Sequence, residues 1–199
     1  DTVSITADGA IDNNAASDGV ANITGAVITL SSGSDGIGQI NGALDINAAV
    51  SLNADSNDTT DGNIAIDDVT GNLPVGLIDS GTGNSVITSA GTVTDSAADG
   101  AADIVSADLN LTSQGEITLD INVTTLTVNA AAAGNIDLDE SDGLTVTSAA
   151  TASGTINISS TAGSIAVNSI VAGPAGGSGV TLSATAGAVT EAGAGDAGV

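Results

Sequence analysis

Carboxylates are the only side chains in this sequence that titrate near neutral pH. There are 24 Asp and Glu residues and no Lys, Arg, His, Cys or Tyr. General acid–base and nucleophilic catalysis therefore lose almost every usual participant, leaving only carboxylates and hydroxyls. Polysaccharide cleavage by a carboxylate pair is the reaction class such a set suits. A sugar cleft also needs basic or aromatic residues to hold the ring, and Phe, Tyr, Trp, Lys and Arg are all absent. The chain is expected not to be an enzyme and to require no cofactor.

Hard cations are the remaining chemistry. Two runs concentrate oxygen donors: Asp137-Leu-Asp139-Glu140-Ser-Asp142 and Asp55-Ser-Asn-Asp58-Thr-Thr-Asp61. Ca²⁺ takes six to eight oxygens at about 2.3–2.6 Å. Asp137, Asp139, Glu140, Asp142, Asp55, Asp58 and Asp61 are thus candidate calcium ligands. Neither run has the spacing of an EF-hand loop or of the Gly-Gly-x-Gly-x-Asp nonapeptide. Asp is also a common turn residue on a solvated face, and that reading stands beside the calcium one.

A formal charge of −24 with no basic residue repels other polyanions. Nucleic acid and anionic membranes are excluded as partners. Ile, Leu and Val number 48 of 199 residues, above the roughly 20% below which disorder is expected. The absence of Cys fits an extracellular chain held by repetition instead of disulfides, and the expected location is secreted or at the cell surface.

The elements that must position these residues repeat. Ile5-Thr-Ala-Asp-Gly9-Ala-Ile11 returns as Ile87-Thr-Ser-Ala-Gly91-Thr-Val93 and as Leu182-Ser-Ala-Thr-Ala-Gly187-Ala-Val189. Leu44-Asp-Ile-Asn47 matches Leu119-Asp-Ile-Asn122, and Gly62-Asn-Ile64 matches Gly134-Asn-Ile136. The reading is one solenoid segment over 1–199, with large units near 1–86 and 87–181 and a third beginning at 182, cut from a longer repeat protein.

A shorter rhythm runs inside. Gly115-Glu-Ile117, Gly134-Asn-Ile136 and Gly154-Thr-Ile156 recur at 19 and 20 residues. A second track, Leu126-Thr-Val128, Leu144-Thr-Val146 and Ile165-Ala-Val167, advances by 18 and 21. Each is a short stretch of apolar–polar alternation, so Ile117, Leu119 and Ile121 share a face opposite Thr118 and Asp120. The fold predicted is all-β: a parallel, right-handed β-helix or β-solenoid with coils of about 19–20 residues and about ten coils. Ile117, Ile136 and Ile156 should form one interior column.

The run Ala107-Asp-Leu-Asn-Leu-Thr-Ser-Gln-Gly-Glu-Ile117, with Leu119-Asp-Ile-Asn-Val123, Gly134-Asn-Ile-Asp-Leu138, Asp142-Gly-Leu-Thr-Val146 and Gly163-Ser-Ile-Ala-Val167, resembles the shaft repeats of filamentous haemagglutinin-like proteins. The resemblance implies a giant secreted β-helical adhesin, exported by a partner outer-membrane transporter. On that basis the expected function is structural: a shaft segment that presents a tip or forms a surface filament. Its partners would be neighbouring repeats of the same chain, or other copies, with cell or matrix contacts made by regions outside the segment. The alternatives are a calcium-dependent acidic repeat module and a surface-layer or sheath subunit.

Overall fold

The computed structural model describes residues 1–13, 18–33, 35–39, 42–56, 61–174 and 177–193. The first eight strands are β1 (Thr2–Ala7), β2 (Ile23–Ser32), β3 (Leu44–Asp55), β4 (Ile64–Asp68), β5 (Leu73–Asp79), β6 (Asn84–Ser89), β7 (Val93–Asp95) and β8 (Ile104–Ser113). The rest are β9 (Ile117–Ala130), β10 (Ile136–Glu140), β11 (Leu144–Thr151), β12 (Thr155–Ser160), β13 (Ile165–Val167), β14 (Ile170–Ala172), β15 (Gly179–Ala184) and β16 (Val189–Glu191). They form one 16-stranded sheet wound into a parallel β-solenoid of about 8 turns.

Each strand pairs with the strand one turn before and one turn after, so residues of like kind stack. The predicted column is present: Ile136 lies between Ile117 and Ile156 in register. It extends back through Val93 to Leu73 and forward to Val180. From Leu73 to Ile156 every member is fully buried. A second ladder carries Leu44, Ile66, Ile87, Leu111, Val128, Ala149 and Ile170. Period-two alternation alone sends these side chains inward, and burial of aliphatic surface at about 25 cal/mol per Å² is what holds turn on turn.

Three expectations change. The turns number about eight, not ten, because only the middle keeps the 19–20-residue coil. Ile104 stacks on Ile121 after 17 residues, whereas Ile37 stacks on Ile64 after 27. The second track slips: Leu126 lies over Val146, not Leu144, and Leu144 pairs with Ile165. An irregularity in β11 between Val146 and Ser148 accounts for the slip, since an extra residue in one strand displaces all that follow. The matched blocks also fall on different ladders. Ile64 stacks with Ser85, while its match Ile136 stacks with Ile117. The local pattern that repeats is a strand with its corner, and both ladders use it.

Corners are built from glycine and inward hydroxyls. A Cβ on Gly134 would sit 2.5 Å from the carbonyl carbon of Gly115 one turn below, so backbone meets backbone there and only glycine fits. Beside this corner, one column reads Ile46, Asp68, Ser89, Ser113, Ala130, Thr151. All are buried. Ser113 Oγ donates toward the carbonyls of Gly91 (2.6 Å) and Gly115 (2.9 Å), and Thr151 Oγ1 donates to that of Gly134 (2.7 Å). These bonds satisfy chain-reversal carbonyls that the ladder leaves over.

Candidate metal centre

A loop between β7 and β8 brings together carboxylates that are far apart in sequence. Asp95 ends β7, Asp103 precedes β8, and Asp120 lies on β9 one turn on. Their carboxylate oxygens all lie within 4.8 Å of one another. The stacking of Ile104 on Ile121 fixes this meeting, because the residue before each must then be a neighbour. The Asp120 amide donates to Asp103 Oδ2 at 2.9 Å.

The electrostatics differ across the triad. Asp103 is 2% exposed, and burial pushes its pKa up to about 7, with Asp95 and Asp120 adding to the rise against the Asp120 amide. Asp120 is also raised, first by burial and then by Asp139, Asp95 and Asp99. Asp95 is held below its ordinary value: burial opposes this, but the amides of Ala98, Ala97 and Asp99 and the proton of Asp103 outweigh it. Ala97 N donates to Asp95 Oδ1 at 2.6 Å. Ala98 takes a left-handed φ of 51°, a conformation non-glycine residues adopt at some cost. The arrangement is an acid–carboxylate pair, with the proton on Asp103 and the charge on Asp95.

Such a set offers a hard divalent cation several anionic oxygens from three backbone positions. Binding would displace the Asp103 proton, so affinity would rise with pH. Next to it lies a cavity of about 90 Å³, lined among others by Gly100, Asp120, Asp139, Glu140 and Thr161.

The run expected to gather around calcium is divided by strand alternation. Asp137 and Asp139 point outward on β10, and Glu140 points inward. Asp137 Oδ1 accepts from Asn157 Nδ2 at 2.7 Å, and Asp139 accepts from the Ser159 hydroxyl, both one turn on. Glu140 accepts from the amides of Val123 (3.1 Å) and Asp142 (3.2 Å). Burial pushes its pKa up to about 7. Asp142 is exposed at the corner. In the other run, Asp55 is exposed at the end of β3, in register with Asp79. Asp61 accepts from the Thr82 hydroxyl and from its amide (2.7 Å), bonds that hold it below its ordinary value. Asp58 lies outside the described residues.

Asp95, Asp103 and Asp120 were not among the candidates read from sequence. Their signal is Asp95-x₃-Asp99-x₃-Asp103 in an Ala-, Ser- and Gly-rich stretch, followed by Asp120 one coil later. A clustering rule along the chain cannot find that; a clustering rule along the turn can.

Compared with known protein families, curated proteins and solved structures, the chain matches none.

Proposed function

We propose that this chain is a shaft segment of an extracellular filament, of the kind its resemblance to filamentous haemagglutinin-like adhesins implies. It acts as a spacer that holds contact-making regions away from a cell surface. The observation that supports this is the unbroken column from Leu73 through Val93, Ile117, Ile136 and Ile156 to Val180. Each turn repeats its neighbour's cross-section, so turns add length and little else. At about 4.8 Å per turn, the eight turns span roughly 40 Å.

Excising residues 134–153 tests the reading, because Gly154 then takes the place of Gly134 in the corner stack. A spacer should keep its far-ultraviolet spectrum and lose one step of length by small-angle scattering. The purified segment should also show no saturable binding to cells or glycan arrays. Saturable retention of a glycan or receptor by this segment would overturn the spacer reading.

The Asp95–Asp103–Asp120 triad favours a second reading, in which Ca²⁺ stiffens the rod. Millimolar Ca²⁺ should then raise the melting temperature with a definite midpoint, beyond Mg²⁺ or NaCl of equal ionic strength. Equal responses to all three would leave only general screening.

A further inference from the structure

The sheet has two free edges, β1 at one end and β15 with β16 at the other; among the described residues, β1 pairs only with β2, β15 only with β12 and β16 only with β13. The tail edge is apolar where it should be covered. Val180 and Val189 are 46% and 47% exposed, while Ile156 and Ile165, directly beneath them, are 0% exposed.

The two edges carry the same text. Thr2-Val-Ser-Ile-Thr-Ala7 at the head corresponds to Gly179-Val-Thr-Leu-Ser-Ala184 at the tail. Placed one on the other in that register, Val180 stacks on Val3, Leu182 on Ile5 and Ala184 on Ala7. On the second ladder, Val189 of β16 meets Ile11, which already stacks on Ile37. These are the aliphatic-on-aliphatic stacks that fill every internal turn.

Charge favours the same pairing. From Gly143 to Thr190 there is no Asp or Glu, and 22 of the 24 carboxylates precede Gly143. The tail is an uncharged end on a polyanion. Head-on-head contact would face acidic turn with acidic turn. Tail-on-tail contact about a two-fold axis would set the strands antiparallel, against the parallel pairing of every named strand. Only head-to-tail stacking continues the existing ladder without a change of direction.

We infer that the β15 edge is a docking surface for the β1 edge of a second copy of this chain, so that copies join head to tail into a continuous solenoid. The contact is heterologous, and with no ring to close it propagates as a filament. The inference rests on the fold alone and does not depend on the spacer reading.

Sedimentation velocity and negative-stain microscopy of the 199-residue chain, across protein concentration at 0.5 M NaCl to screen repulsion, test it. Wild type should form rods whose lengths are multiples of one copy. Val180→Asp should lose all species above the monomer, since its tail is blocked. Added to wild type, the same variant should shorten the rods progressively, because its intact head still joins a free tail and then stops growth. Val180 is already half exposed, so folding is expected to survive, and circular dichroism checks it; Val3→Asp, which blocks the head instead, provides the second terminator. A wild-type chain that stays monomeric throughout would overturn the inference. So would a folded Val180→Asp chain that oligomerises like wild type, or one that leaves wild-type rods unshortened.

Discussion

Single hydroxyls and carboxylates inside the rod decide more than their size suggests. Ser113 is bonded at once to the Gly91 carbonyl, the Gly115 carbonyl and the Gly115 amide. Ser113→Ala should cost about 1–3 kcal/mol, the range for leaving buried polar groups unsatisfied, read as a lower denaturant midpoint with unchanged slope. At the triad, Asp103→Asn and Asp120→Asn should each abolish any calcium-specific rise in melting temperature. Asp137→Asn should leave that rise intact, because Asp137 faces outward and bonds Asn157. A rise that survives Asp103→Asn, or vanishes with Asp137→Asn, would move the site to β10. None of this was readable along the chain. A serine before a glycine reads as a turn residue, and nothing local reveals that its hydroxyl points into the rod. Asp137, Asp139 and Glu140 are adjacent in sequence, yet alternation parts them; Asp103 and Asp120 are 17 apart, yet the turn joins them.

At the scale of elements, the corners set tolerance and the strands set register. Gly134→Ala places a methyl against the Gly115–Glu116 backbone, which cannot move without shifting a turn. The expected cost is about 1–3 kcal/mol, as for overpacking, measured by chemical unfolding. Ile117, Ile136 and Ile156 were legible because strand and corner lengths stay nearly constant between them. The second track was not, because periodicity counts residues while register counts hydrogen bonds. One irregular residue in β11 separates the two counts.

The whole molecule responds to acid in a direction set by its missing cations. Asp68, Asp103 and Glu140 are buried, and no Lys, Arg or His exists to pair with them. Neither oxygen of Asp68 has a well-formed hydrogen bond. Burial raises its pKa to about 6; the Ala48 amide and Ser89 hydroxyl oppose the rise and Asp67 adds to it. The groups facing the other two are also acids: Asp95 and Asp120 for Asp103, Asp142 for Glu140. All three folded-state values lie above the ordinary 3.8 or 4.5, so the folded chain holds more protons than the unfolded one. Stability is therefore full below about pH 4 and is lost as pH rises through 6 and 7. Each tenfold difference in proton affinity between the folded and unfolded chain is worth about 1.4 kcal/mol. Asp61 and Asp95, whose pKa values are lowered by folding, act oppositely and weaken the fold only at still lower pH. The melting temperature should peak near pH 4–5 and fall toward pH 8. Asp68→Asn should flatten part of that fall and raise stability at pH 8 by about 2 kcal/mol. A melting temperature that climbs from pH 5 to pH 8 would contradict the burial of these groups.

Every named strand pairing joins residues one turn apart, such as Ile117 with Ile136 and Ile136 with Ile156. A finished turn therefore waits for nothing that comes later in the chain. For a polypeptide delivered amino end first, from a ribosome or through any narrow opening, each new turn can close on the last as soon as it emerges. About 20 residues span up to roughly 70 Å when extended and add only about 4.8 Å of rod once wound. Winding shortens the emerged chain more than tenfold per turn, and re-entry would require a whole turn to unpair. The same stacking that keeps the rod in shape thus works as a pawl on a thread, turning random motion of the chain into travel in one direction without a motor or a fuel.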